Sequence, residues 1–254
     1  MLVAVGVMTP IWSAAADAPE REQSHESNRY LGLTVGSTGT PYIGSDRNLW
    51  LFPIFRTFAD SATTDDLIVS RDGSIGLRWL HGAGLQYGVF ARLQNLGYSA
   101  SDNPALAGMQ SRNQTLELGP LIGYRIHHFQ VDLTYYADVL GVHNGAETRL
   151  VISFPFEVAH RFFIGHLDVY RQSADMANYY FGVLPGEAAP GRPAYAPGGV
   201  TNFSIGIRTG WHLGKRFALF LDATHEYFDH AVENSPIVDS RNAWTLSVGA
   251  GYNF

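Results

Sequence analysis

The stretch Trp-Thr-Leu-Ser-Val-Gly-Ala-Gly-Tyr-Asn-Phe at 244–254 decides the fold. Taken at every second position, it places Trp244, Leu246, Val248, Ala250, Tyr252 and Phe254 on one side. Thr245, Ser247, Gly249, Gly251 and Asn253 fall on the other. Successive strand side chains point to opposite faces, so the stretch reads as a strand with one apolar wall and one small, polar wall. The pattern recurs at 129–138, with Phe129, Val131, Leu133, Tyr135 and Ala137 against Gln130, Asp132, Thr134, Tyr136 and Asp138. It recurs again at 202–211, with Phe203, Ile205, Ile207, Thr209 and Trp211 against Ser204, Gly206, Arg208 and Gly210.

A soluble sandwich would alternate in the same way, with its apolar wall inward. Three features favour a membrane barrel instead. The polar walls are rich in Gly, Ser and Thr and nearly free of Lys, which suits a crowded lumen. The apolar walls tend to end in aromatic residues, as interfacial girdles require. The last alternating strand finishes on Phe254, and Trp244, Tyr252 and Phe254 together are read as a barrel-insertion signal for the outer-membrane assembly machinery.

Loop lengths point the same way. Strands are expected at 29–37, 48–57, 65–71, 74–80, 85–97, 113–124, 129–140, 147–156, 161–171, 200–211, 216–227 and 243–254. The connections at 81–84, 125–128, 157–160 and 212–215 are short, whereas 98–112, 172–199 and 229–242 are long. Outer-membrane barrels alternate short periplasmic turns with longer outer loops. This phase predicts both termini in the periplasm. The expected fold is therefore all-β: a transmembrane antiparallel β-barrel of about 12 strands, with 10 as the alternative if the short pair around Asp72-Gly73 fails.

Composition agrees. Charged residues make up 16% of the 254, and the basic ones are sixteen arginines and a single lysine, Lys215. A soluble surface carries more charge, near 25% on average, and scatters lysines over itself. The net charge is −6 with no basic stripe, which leaves nucleic-acid binding without electrostatic support. Cysteine is absent, so disulfides, thiolate metal sites and an N-terminal lipid anchor on cysteine are excluded. Residues 1–16 read as a signal peptide, an apolar run ending in Ser13-Ala14-Ala15-Ala16. Residues 17–28 read as a flexible periplasmic lead-in and 29–254 as the outer-membrane barrel.

Three motifs in order carry a family resemblance. They are Thr40-Pro41-Tyr42-Ile43-Gly44-Ser45-Asp46; Asn178-Tyr179-Tyr180-Phe181-Gly182-Val183 with Gly191-Arg192-Pro193-Ala194-Tyr195; and Ser235-Pro236-Ile237-Val238. Together with Phe254 they resemble the MltA-interacting protein (MipA)/OmpV family of outer-membrane proteins, from about residue 29 onward. The resemblance implies an outer-membrane barrel of a Gram-negative envelope. It implies a scaffold or docking protein for murein machinery, with periplasmic murein enzymes as partners alongside outer-membrane lipid; other family members are porin-like. From the residues alone, Pro41, Gly44 and Ser45 suit a tight turn. Tyr179 and Tyr180 suit the membrane interface or a loop packed on the barrel mouth. Pro236 suits a strand entry.

Alternation assigns the charges Arg78, Arg92, Glu117, Asp132, Asp138, Arg149, Asp168, Arg208, Asp222 and Glu226 to the lumen. Charges in a narrow barrel must be paired or wet, so they either plug it by ion pairs across the lumen or line a narrow channel for small solutes. The irregular, Pro- and Gly-rich stretch 184–199 is expected to fold into the lumen or to cap it. No credible catalytic or metal-binding set emerges and no cofactor is expected. His25-Glu26-Ser27-Asn28 resembles the active-site string of outer-membrane phospholipase A, but it precedes the first strand, where nothing orients a Ser–His pair. His127-His128 reads as solvated turn residues, and His166 with Asp168 as a lumenal hydrogen-bonded pair. The expected function is non-enzymatic.

Overall fold

The computed structural model describes residues 28–45, 47–58, 66–69, 74–81, 84–94, 96–101, 103–126, 129–158, 161–214 and 216–253. The expected signal peptide and lead-in (to residue 27), Phe254 and the His127-His128 pair lie outside them.

Twelve strands run β1 Asn28–Thr38, β2 Asn48–Phe58, β3 Asp66–Val69, β4 Ile75–His81, β5 Leu85–Gln94, β6 Thr115–Ile126, β7 Phe129–Asp138, β8 Ala146–Val158, β9 Arg161–Gln172, β10 Val200–Leu213, β11 Phe217–Tyr227 and β12 Asn242–Asn253. They form one antiparallel sheet in the order β2-β1-β12-β11-β10-β9-β8-β7-β6-β5-β4-β3. The last strand pairs with the first, Tyr252 opposite Leu31 and Val248 opposite Val35. β2 and β3, the two ends of that order, lie against each other, so the sheet curls into a barrel. Short β3 is present and pairs with β4 through Leu67 opposite Leu77, which rules in favour of twelve strands over ten.

The walls face as period 2 demands. On β10, Phe203, Ile205 and Ile207 point outward and are about half exposed, while Asn202 and Ser204 are buried. On β1 and β2, Leu31, Leu33, Leu49 and Leu51 are likewise exposed. A sheet that buries Asn, Ser, Glu and Arg and exposes Leu, Ile and Phe has an inverted interior, and its outer face is made for lipid. No helix among the described residues is long and apolar enough to cross a membrane. On β12, Trp244 stacks on His225 with centroids 4.3 Å apart, and Tyr252 meets Phe217 edge-on at 5.2 Å. Both aromatics sit on the lipid-facing side, near opposite ends of the strand.

The connections 39–47, 95–114, 139–145, 173–199 and 228–241 emerge at one end of the barrel. The opposite end carries the short turns after β4, β6, β8 and β10. The loops differ from their expected form. The 173–199 connection holds an α-helix, α1 Ala174–Phe181, and a 3₁₀ turn at Pro185–Glu187; 228–241 holds a short helix, α2 His230–Glu233. Pro236 does not begin a strand. It sits in a turn closed by the Val238 N–H on the Ser235 carbonyl, four residues before β12.

Candidate functional site

The long loops do not splay. They pack into a core of their own over the barrel mouth, built on Tyr42, Leu106, Met176, Tyr180, Phe181 and Ile237, each at most 3% exposed. The three sequence motifs meet here. The Tyr42 hydroxyl donates to the carbonyls of Leu96 (2.7 Å) and Tyr180 (3.3 Å), and burial pushes its pKa well above the ordinary value, so it stays a donor. The Tyr42 ring lies 6.0 Å from that of Phe181. The Ile43 N–H donates to the Ile237 carbonyl (3.0 Å), and the Asp239 N–H to that of Pro41 (3.0 Å). The Ser235 hydroxyl donates to the Phe181 carbonyl (2.6 Å). Gly44 and Ser45 turn the chain as expected, the Ser45 N–H closing on the Tyr42 carbonyl (3.1 Å), while Asn103 clips the turn by donating to the Ile43 carbonyl and to Ser45.

Of the two places open to Tyr179 and Tyr180, the structure uses the mouth. α1 is capped by Ser173, whose hydroxyl accepts from the Met176 N–H, and it delivers Tyr180 and Phe181 into the core. It ends at Gly182, where a Cβ would stand 2.2 Å from the Asn178 carbonyl oxygen; only glycine fits. Sequence reasoning missed the latch beside it. Arg112 forms a two-pronged pair with Glu187 (3.0 and 2.8 Å), donates to the Tyr179 carbonyl (2.6 Å) and faces the Tyr98 and Tyr179 rings. The Glu187 carboxylate also accepts from the Leu184 and Gln110 N–H groups, both at 2.9 Å. Burial alone would raise this carboxyl; the hydrogen bonds outweigh it and hold the pKa below the ordinary value. The stretch 184–199 is thus pinned as a cap: Val183 bridges Tyr195, whose hydroxyl donates to Ala231 (2.6 Å).

Under the cap lies a polar chamber of about 490 Å³. Its charged wall is a continuous network along neighbouring strands. Arg92 bonds Glu117 (2.7 Å) and Glu147 (2.9 Å) while lying 4.1 Å over the Tyr136 ring. Arg149 bonds Glu147 (2.9 Å) and Asp168 (3.4 Å). His166 pairs with Asp168 (3.1 Å) and reaches across β10 to Thr224 (3.3 Å). It can do so because residue 206 is glycine: a Cβ there would lie 2.3 Å from its Nε2. Arg208 bonds Asp222 (2.9 Å). The lining continues onto β12, β1 and β2 through the uncharged Thr245, Ser247, Thr34, Thr38 and Trp50.

These ion pairs join β5 to β6 and β8, β8 to β9, and β10 to β11, and the loops pack over them at the mouth. Arg78 donates to Gln86 (3.0 Å), and Asp132 accepts from Gln130 (2.7 Å), towards the turn end. Asp138 departs from the lumenal role assigned to it. Its carboxylate turns to the 139–145 connection, accepting from the N–H groups of Leu140, Gly141, His143 and Asn144 and from the Thr115 hydroxyl. Glu226 faces the chamber.

A model of the family described as MltA-interacting protein MipA matches residues 31–254. Two outer-membrane proteins are similar at 25% identity over 167 residues: Omp26La of Vibrio anguillarum and OmpV of Vibrio cholerae serotype O1. The match covers 66% of this chain and 65% of each relative, so the chain spans just under two thirds of their length. Solved structures with a similar course include a loop-deletion mutant of the Vibrio cholerae outer-membrane protein OmpT (8% identity, TM-score 0.40, 89% of this chain and 98% of that one). Another is the outer-membrane channel DcaP of Acinetobacter baumannii (10% identity, TM-score 0.33, 89% and 96%).

Proposed function

The chain belongs to the MltA-interacting protein MipA family and is an outer-membrane β-barrel, and from that premise we propose that it is a non-enzymatic scaffold that docks periplasmic murein enzymes at the membrane. The observation that carries the reading is the sealed mouth. A barrel whose loops share a buried core with side-chain and backbone hydrogen bonds is built as a rigid platform. The lumenal charges support it, since most are engaged with one another. The family's description names an interaction with MltA, and the short-turn end is the one that faces the periplasm in barrels of this type.

A photo-crosslinking residue at exposed Arg216, in the turn after β10, tests this in intact envelopes. The expected adduct, identified by mass spectrometry, is a murein enzyme; the same probe at exposed Pro190 in the cap gives none. No murein enzyme at Arg216 or at the other short turns overturns the reading. A second reading, a narrow porin-like channel, is favoured by the polar chamber of about 490 Å³. It requires the cap to open.

A further inference from the structure

The chamber beneath the cap has the size of a small-molecule pocket, about 490 Å³ in a range of ~300–1,000 Å³. Its charges do not balance. Three arginines line it, Arg92, Arg149 and Arg208, and all are committed to Glu147, Asp168, Asp222 or the adjacent Glu117. The fourth lining carboxylate, Glu226, has no hydrogen bond and no ion pair among the described residues. Its cross-strand neighbour on the same wall is Ser204, which also stands beside Asp168. Ser204 is 6% exposed, lines the chamber, and its hydroxyl has no hydrogen-bond partner among the described residues. Two adjacent acceptors without partners on the wall of a chamber describe a place for a ligand that donates hydrogen bonds.

We propose that the chamber binds a small organic cation through a primary ammonium group. The ammonium supplies three donors and a positive charge, which suits the Glu226 carboxylate and the Ser204 hydroxyl beside it. An anion would have to take an arginine from an existing carboxylate pair. A neutral polyol would leave Glu226 without a counter-charge. The same chamber is lined by the indole of Trp50, three strands along the sheet from Glu226 and anchored by its Nε1–H on Thr38 (3.0 Å), an aromatic face suited to a cation. The proposal does not rest on the scaffold reading; a docking protein and a channel could each hold such a site.

Titration calorimetry on the full chain refolded in detergent, with cadaverine as probe, decides it. Cadaverine is expected to bind, and 1,5-pentanediol and glutarate, of the same length, are not. Glu226→Gln should weaken cadaverine by about tenfold or more, the equivalent of ~1.4 kcal/mol, with heat-modifiable gel mobility confirming that the variant is folded. If Glu226→Gln does not fold, Ser204→Ala, which removes one acceptor, carries the test and should weaken binding several-fold. Absence of cadaverine binding, equal binding of glutarate, or affinity unchanged in the folded variant overturns the proposal.

Discussion

Glu187 shows how much one side chain does in the cap. Its carboxylate gathers Arg112 and two backbone N–H groups, with Tyr98, Tyr179 and Arg192 packed around the same pair. Because its folded pKa is depressed, its contribution is fully present above the unfolded carboxylate value of about 4.3. The contribution is lost as pH falls through the lower folded value. Arg112 stays charged throughout. Hydrogen-exchange protection of the Leu184 and Gln110 amides, corrected for the intrinsic rate, should therefore hold at neutral pH and fall away in acid. Glu187→Gln should lower protection already at neutral pH and flatten the acid dependence. Protection in the natural protein that stays level through the acid range would contradict this account. The role was not legible beforehand, because Glu187 lies in an irregular stretch and its partner Arg112 is 75 residues away in sequence.

The elements divide by how their information is stored. Strands are legible because period-2 alternation is local: each of the twelve appears within about three residues of its expected place, including the four-residue β3. The cap helices follow from contacts no window contains. α1 is eight residues long and marginal alone; Ser173 at its N-cap and Asp175 in the first turn were its only local signals. Asp138 was assigned correctly to a strand face, but its role belongs to the turn that follows. The motifs at 41–45, 178–183 and 235–238 could be recognised, but only the fold shows that they pack together. Tyr180→Ala removes a fully buried ring from that junction. It should cost the cap about 3–5 kcal/mol while leaving the sheet intact. Trypsin should then cut after Arg112, which is buried and whose neighbour Asn113 accepts from the Tyr180 hydroxyl, faster than in the natural protein, with heat-modifiable mobility retained. Tyr135→Ala, on the lipid face of β7, should leave cleavage unchanged. Equal cleavage in Tyr180→Ala and the natural protein would show that the cap does not depend on this core.

At the scale of the whole molecule, the chain separates two tasks. The outward apolar wall holds it in the membrane, and the sheet brings β2 against β3, as a bilayer that does not tolerate open sheet edges requires. The inward wall pairs most of its charges with one another and still leaves a chamber beneath the loops. Closure falls to the loops, and alternation could not show this: it places charges on a face but says nothing of whether they meet across it. The most direct test of a membrane barrel sealed at its loop end is single-channel conductance in planar bilayers, comparing the natural protein with a variant in which 184–199 is replaced by a short Gly-Ser linker. The account predicts a silent natural protein and discrete open steps from the variant; sustained, reproducible open steps from the natural protein would contradict it.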